Sequence, residues 1–198
     1  MRLWILATGI VCIPLIVNSQ FLLEGSIEFK KESTLVIRGT TNVNEFKCVL
    51  DETDDVSSFS NYSLTDSSIL LDNAIMTFQV DNFDCGNKAI TKDFRKALGS
   101  RDFPKIMFEI RRIYITNEER LQEKSTVKSE VSITIAGVRK DLRMNLQRFL
   151  LEDSQIRYSG EKSLLMSDFG VNPPQALWGV IKARDDIDVS FMIVFKFL

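Results

Sequence analysis

No histidine occurs among the 198 residues. That excludes Ser-His-Asp and Cys-His nucleophile systems and every histidine-based metal site. Few residues are left with chemistry to offer: Cys12, Cys48, Cys85, the carboxylate of Asp168, the cations Arg139 and Lys140, and the tripeptide Asn61-Tyr62-Ser63. Asp168 could act as an acid or a base. It lacks a placed partner, however, and beside Phe169-Gly170 its expected role is hydrogen bonding within a turn. Arg139 and Lys140 could hold a phosphate, yet they follow Gly137 in a tight hairpin and read as a solvated turn. Two thiols alone do not complete a structural zinc site. Asn61-Tyr62-Ser63 matches a glycosylation acceptor, which matters only in a eukaryotic secretory pathway. The expectation is therefore a protein with no catalytic residue, no metal and no cofactor.

The surroundings of the cysteines decide their state. Arg2 precedes an apolar run from Leu3 to Val17, which Asn18-Ser19-Gln20 breaks. This is the pattern of a secretory signal peptide over residues 1–19, with Val17 and Ser19 at the −3 and −1 cleavage positions. The run is short for a membrane anchor, which needs about 20 apolar residues. Cys12 follows Val11, whereas a lipoprotein signal has a small residue before its cysteine. Residues 20–198 are then one exported domain, periplasmic or secreted, with no stable membrane span. In that oxidising setting Cys48 and Cys85 are expected to form a disulfide. The balance of 25 basic against 27 acidic residues gives a net charge of −2 and no footprint for nucleic acid.

The elements that position these residues are mostly strands. Ile187, Val189, Phe191, Ile193, Phe195 and Phe197 recur with period two, which places them on one face of a strand. Ile106, Phe108 and Ile110 repeat the pattern, as do Val131, Ile133 and Ile135. Repeated half-buried antiparallel strands predict a closed β-barrel or sandwich with an apolar interior. Ile69 to Val80 reads as one strand, residues 51–67 as a long exposed loop and residues 116–124 as a hairpin loop. Ile90, Phe94, Ala97 and Leu98 fall at helical spacing before Gly99, so residues 88–98 are expected to form a short helix plugging or flanking a barrel end.

Several segments resemble the YceI-like proteins. Ser33 to Phe46 (STLVIRGTTNVNEF) looks like the family's opening. Phe103-Pro104-Lys105-Ile106-Met107-Phe108 is similar to its central aromatic-proline signature. Ser132 to Lys140 (SITIAGVRK) resembles its threonine-lysine hairpin, and Ser167-Asp168-Phe169-Gly170-Val171 its late aspartate-phenylalanine-glycine turn. The pieces run in the family's order between about residues 33 and 194. The resemblance implies a mainly all-β fold: a single extended antiparallel barrel of about eight strands, lipocalin-like, with one or two short helices. It also implies export and an elongated pocket for a polyisoprenoid. Asn44 stands where many members carry histidine, and Arg139 where they carry threonine. A head group read by histidine elsewhere is not read that way here. The Cys48–Cys85 pair is a subfamily feature that the wider family does not require.

Alternation nominates the pocket lining: Leu35, Ile37, Phe46, Phe78, Ile106, Phe108, Ile110, Val131, Ile133, Ile135, Leu142, Met144, Leu146, Val189, Phe191 and Ile193. A one-residue register error would invert any strand's contribution. The expected partner is an apolar lipid, a polyisoprenoid or quinone-like chain, sequestered or transported without catalysis. The same faces would equally suit a filled core with no ligand, in a structural or interaction module. A homodimer is left open. An enzyme acting on an envelope lipid is the remaining alternative, and it would need carboxylates clustered at one barrel end.

Overall fold

The computed structural model describes residues 23–30, 32–50, 59–176 and 180–198. The strands are β1 (Leu23–Phe29), β2 (Thr34–Thr41), β3 (Glu45–Leu50), β4 (Phe59–Leu64), β5 (Ser68–Asp72), β6 (Ile75–Gln79) and β7 (Phe83–Asp84). Helix α1 (Lys88–Ala97) leads to β8 (Lys105–Tyr114), and α2 (Asn117–Leu121) to β9 (Lys124–Ile135). The chain ends in β10 (Val138–Leu150), β11 (Gln155–Leu165), β12 (Gln175–Ala176) and β13 (Ile181–Phe197). The signal peptide expected at residues 1–19 lies outside the described residues.

Eight strands close a ring in the order β1-β4-β5-β8-β9-β10-β11-β13 and back to β1, every pairing antiparallel. This is the mainly all-β barrel that the resemblance implies, where alternation alone allowed a barrel or a sandwich. Two long strands change partners along their length. β13 pairs with β2 over residues 183–192 and with β1 over residues 195–197. β8 pairs with β6 over residues 105–109 and with β5 over residues 112–114. The barrel is therefore walled at one end by β1, β4 and β5, and at the other by β2, β3, β6 and β7.

The change of partner on β8 coincides with a bulge. Ile110 pairs with Val131 and Arg112 with Glu130, so Arg111 is the extra residue. The insertion moves the inward set by one position: Ile106, Phe108 and Ile110 are buried, and so are Ile113 and Ile115. Arg111 and Arg112 lie between these two apolar sets because the parity of the strand resets there.

The disulfide between Cys48 and Cys85 ties β3 to the residue after β7. Both cysteines are buried. Helix α1 begins three residues after Cys85. Asn87 caps it, its side chain accepting from the backbone of Ala89 at 2.8 Å and of Ile90 at 3.4 Å. The cap and the bridge together fix where the helix enters.

Three expectations are corrected. Residues 59–64 of the expected 51–67 loop form β4, while residues 51–58 lie outside the described residues. The strand is hard to see because its inward face begins with a serine: Ser60 is 4% exposed and its hydroxyl donates to the Asp72 carbonyl, while Tyr62 and Leu64 are only partly buried. The hairpin loop at residues 116–124 contains α2, closed by a capping box between Thr116 and Glu119. Ile69 to Val80 is two strands, because Asn73 takes a left-handed φ of 57° and turns the chain between them.

Candidate functional site

The β2/β3/β6 end of the barrel, its mouth, holds an apolar cavity of about 370 Å³. Its side wall is built from inward residues of four long strands: Ile37 on β2, Ile106 on β8, Ile135 on β9, and Ala183 and Ile187 on β13. α1 contributes Ile90, Phe94, Ala97 and Leu98 from one face. The helical spacing of those residues is what presents them together. Phe94 also packs on Phe83, ring centroids 5.3 Å apart, which holds the helix against β7. The 3-10 turn Met166–Phe169 closes the remaining side with Met166, Phe169 and Val171.

Phe46 reaches the cavity by lying over Gly39, its direct partner on β2. A Cβ at Gly39 would collide with the ring. Glycine is required there by close approach rather than by an unusual backbone angle.

The polar groups sit on the rim. Thr41, Asn44, Asn87 and Gln175 join Asp93, the only charged side chain among the described lining residues. Asn44 does not face the interior freely, since its Oδ1 accepts from the Thr41 hydroxyl at 2.7 Å.

Below the cavity the barrel is filled. Phe108 of β8 and Phe191 of β13 meet across the interior with centroids 4.5 Å apart and planes at 47°. At the far end the inward row turns polar. Ser125, Arg148 and Tyr158 are direct partners across β9, β10 and β11. Arg148 is 2% exposed and Tyr158 fully buried. Burial pushes the Tyr158 hydroxyl up to about 12, against the opposing pull of the Arg148 and Arg120 charges. Among the described residues the barrel thus has an apolar, hollow mouth and a packed foot in which Arg148 and Tyr158 lie among apolar side chains such as Phe29, Ile113 and Phe195.

The sequence matches no protein-family model and no curated protein. Solved structures do match. A polyisoprenoid-binding domain from Saccharophagus degradans, implicated in plant cell wall breakdown, aligns with a TM-score of 0.57 at 11% identity, covering 87% of this chain and 98% of its own. BcnA of Burkholderia cenocepacia aligns at 0.55 and 14% identity, covering 82% and 96%. A Campylobacter jejuni YceI protein aligns over 98% of this chain and 97% of its own, with 14% identity and a TM-score of 0.46. The fold is the one shared with the polyisoprenoid-binding domain and BcnA.

Within this barrel the nominated lining residues fall into two groups. Ile37, Phe46, Ile106 and Ile135 border the cavity. Leu35, Phe78, Phe108, Ile110, Val131, Ile133, Met144, Leu146, Val189, Phe191 and Ile193 are buried in the interior. Leu142 is half-buried against them. Alternation identified the inward face but carried no information about where facing side chains leave a gap.

The remaining wall was not anticipated as a group. The α1 residues carried a signal in their helical spacing. Met166, Phe169 and Val171 lie in irregular chain, where no periodicity points inward. Asp168 sits at the surface, its carboxylate 3.7 Å from the Lys140 ammonium. Arg139 pairs with Glu109 at 2.7 Å. Half-exposed pairs of this kind contribute little, and neither faces the cavity. Among the described residues no helix is long and apolar enough to cross a membrane.

Proposed function

We propose that this protein binds an apolar chain lipid, a polyisoprenoid or quinone-like molecule, in the cavity under α1. It would sequester or carry that lipid through the periplasm or an extracellular compartment. The observation that supports this most is the apolar cavity at the mouth of a barrel whose interior is otherwise filled. Each Å² of chain moved from water onto such a wall contributes about 25 cal/mol. The naming of one fold relative as a polyisoprenoid-binding domain agrees with this reading.

Ile37, Phe46, Ile106 and Ile135 would touch the chain, with Ile90 and Phe94 above it. Its head would rest at the rim beside Asp93, which favours an uncharged group over a phosphate. The disulfide accords with an oxidising compartment and with removal of residues 1–19 on export. No catalytic step is proposed. A ligand-free structural module is the competing reading, supported by the packed lower barrel. Mass spectrometry of an organic extract of the purified mature protein separates the two. A stoichiometric chain lipid is expected, and a protein that neither contains nor takes up one would favour the structural module.

A further inference from the structure

We infer that Phe108 and Phe191 form a stop that limits the bound chain to about 15 carbons, roughly three isoprene units, counted from the rim. The inference rests on the reading that a chain lipid occupies the cavity. It adds which length the site measures and which residues measure it.

Volume gives the length. An engineered apolar cavity of about 150 Å³ accommodates a single benzene ring, which scales to about 25 Å³ per carbon. The present cavity of about 370 Å³ therefore accommodates about 15 carbons. The deepest wall residues are Ile37, Ile106 and Ile135. One inward step further along β8 lies Phe108, whose ring meets Phe191 from the opposite wall at 4.5 Å. Both are at most 5% exposed.

Neither ring has an easy way out. Phe191 packs on Gly160, where an added Cβ would lie 2.8 Å from the ring tip and 2.9 Å from the Met144 methyl. Ile110, Val131 and Leu146 beneath are fully buried. A chain that forced the pair apart would next have to displace these close-packed side chains, with buried Arg148 one inward step beyond Leu146 on β10. The aromatic stop and the packed layer beneath it are separate obstacles to a longer chain.

The test is competition of geraniol, farnesol, geranylgeraniol and solanesol against radiolabelled farnesol on the mature, disulfide-bonded protein. Affinity should rise more than about tenfold from geraniol to farnesol, since each buried methylene adds to the hydrophobic term. It should then change less than about threefold through solanesol, whose extra units remain in water or along the surface. In Phe108→Ala the plateau should begin at geranylgeraniol. In Ala183→Leu, a half-buried wall position above the stop, farnesol should lose its advantage over geraniol. Affinity that climbs steadily to solanesol in the unaltered chain would overturn the stop while leaving lipid binding intact. So would an unmoved plateau in a folded Phe108→Ala protein and in Ala183→Leu. Failure of every alcohol to bind would overturn the lipid reading itself, and the stop with it.

Discussion

Arg148 stands directly opposite Tyr158 in the β10–β11 ladder, and both side chains are buried inside the foot of the barrel. The guanidinium donates to the carbonyls of Glu119 at 3.2 Å, Arg120 at 3.1 Å and Gln122 at 2.9 Å. These are carbonyls at the C-terminal end of α2, where a helix runs out of backbone donors; that of Glu119 also accepts from the Gln122 backbone at 3.3 Å. Arg148 therefore closes the foot by satisfying backbone acceptors that β9 and β10 alone would leave bare. Arg148→Met should cost about 3 kcal/mol in urea unfolding, because its charge-assisted hydrogen bonds to the α2 carbonyls are lost. Binding at the mouth should be unaffected in the folded variant.

Tyr158 sets a pH dependence at the alkaline end. Its hydroxyl is raised from 10.0 in the unfolded chain to about 12 in the fold, chiefly by burial. Above pH 10 the unfolded chain releases this proton while the folded one keeps it. The stabilisation is thus complete below about pH 10 and declines as pH rises towards about 12. Tyr158→Phe should flatten that part of the stability curve. An unchanged slope between those pH values, followed by urea unfolding, would show that Tyr158 does not carry it.

The Cys48–Cys85 bridge closes a separation of 37 residues. Chain-entropy reasoning assigns such a loop about 3–4 kcal/mol. Cys48→Ser with Cys85→Ser should lower unfolding stability by about that amount. Hydrogen exchange should rise first in α1, because Cys85 lies next to its N-terminal cap. Thiol titration of the denatured, unreduced protein should find both cysteines oxidised.

Phe94 links α1 to Phe83 and to the cavity wall. If α1 gates entry, Phe94→Ala should speed lipid exchange several-fold while circular dichroism remains that of the barrel. Unaltered exchange in the folded variant would leave α1 a purely structural cover.

The legible parts of this fold are those in which periodicity coincides with burial. β13 is readable from Ile187 to Phe197 because its inner face is uniformly apolar, and α1 because Ile90, Phe94 and Leu98 share a helix face. β4 is hidden because its inward face begins with Ser60, whose hydroxyl is satisfied by the Asp72 carbonyl of the neighbouring β5, and its Tyr62 and Leu64 are only partly buried. Arg148 occupies the next inward position after Leu142, Met144 and Leu146 on β10. Its parity was visible, but a charged residue there looks like the end of the buried face. The Thr116–Glu119 capping box was a readable sign of α2 among polar residues. The cavity itself was not readable at all, because alternation marks the inward residues of each strand but not where residues from opposite walls, such as Phe108 and Phe191, meet.

The most direct test of the central claim is native mass spectrometry of the mature protein, purified without detergent and then equilibrated with farnesol. The expected result is a one-to-one complex that Ile106→Asp, a charge introduced on the cavity wall, abolishes in a folded protein. An unliganded barrel at every farnesol concentration, or a complex undiminished in Ile106→Asp, would contradict lipid binding in this cavity.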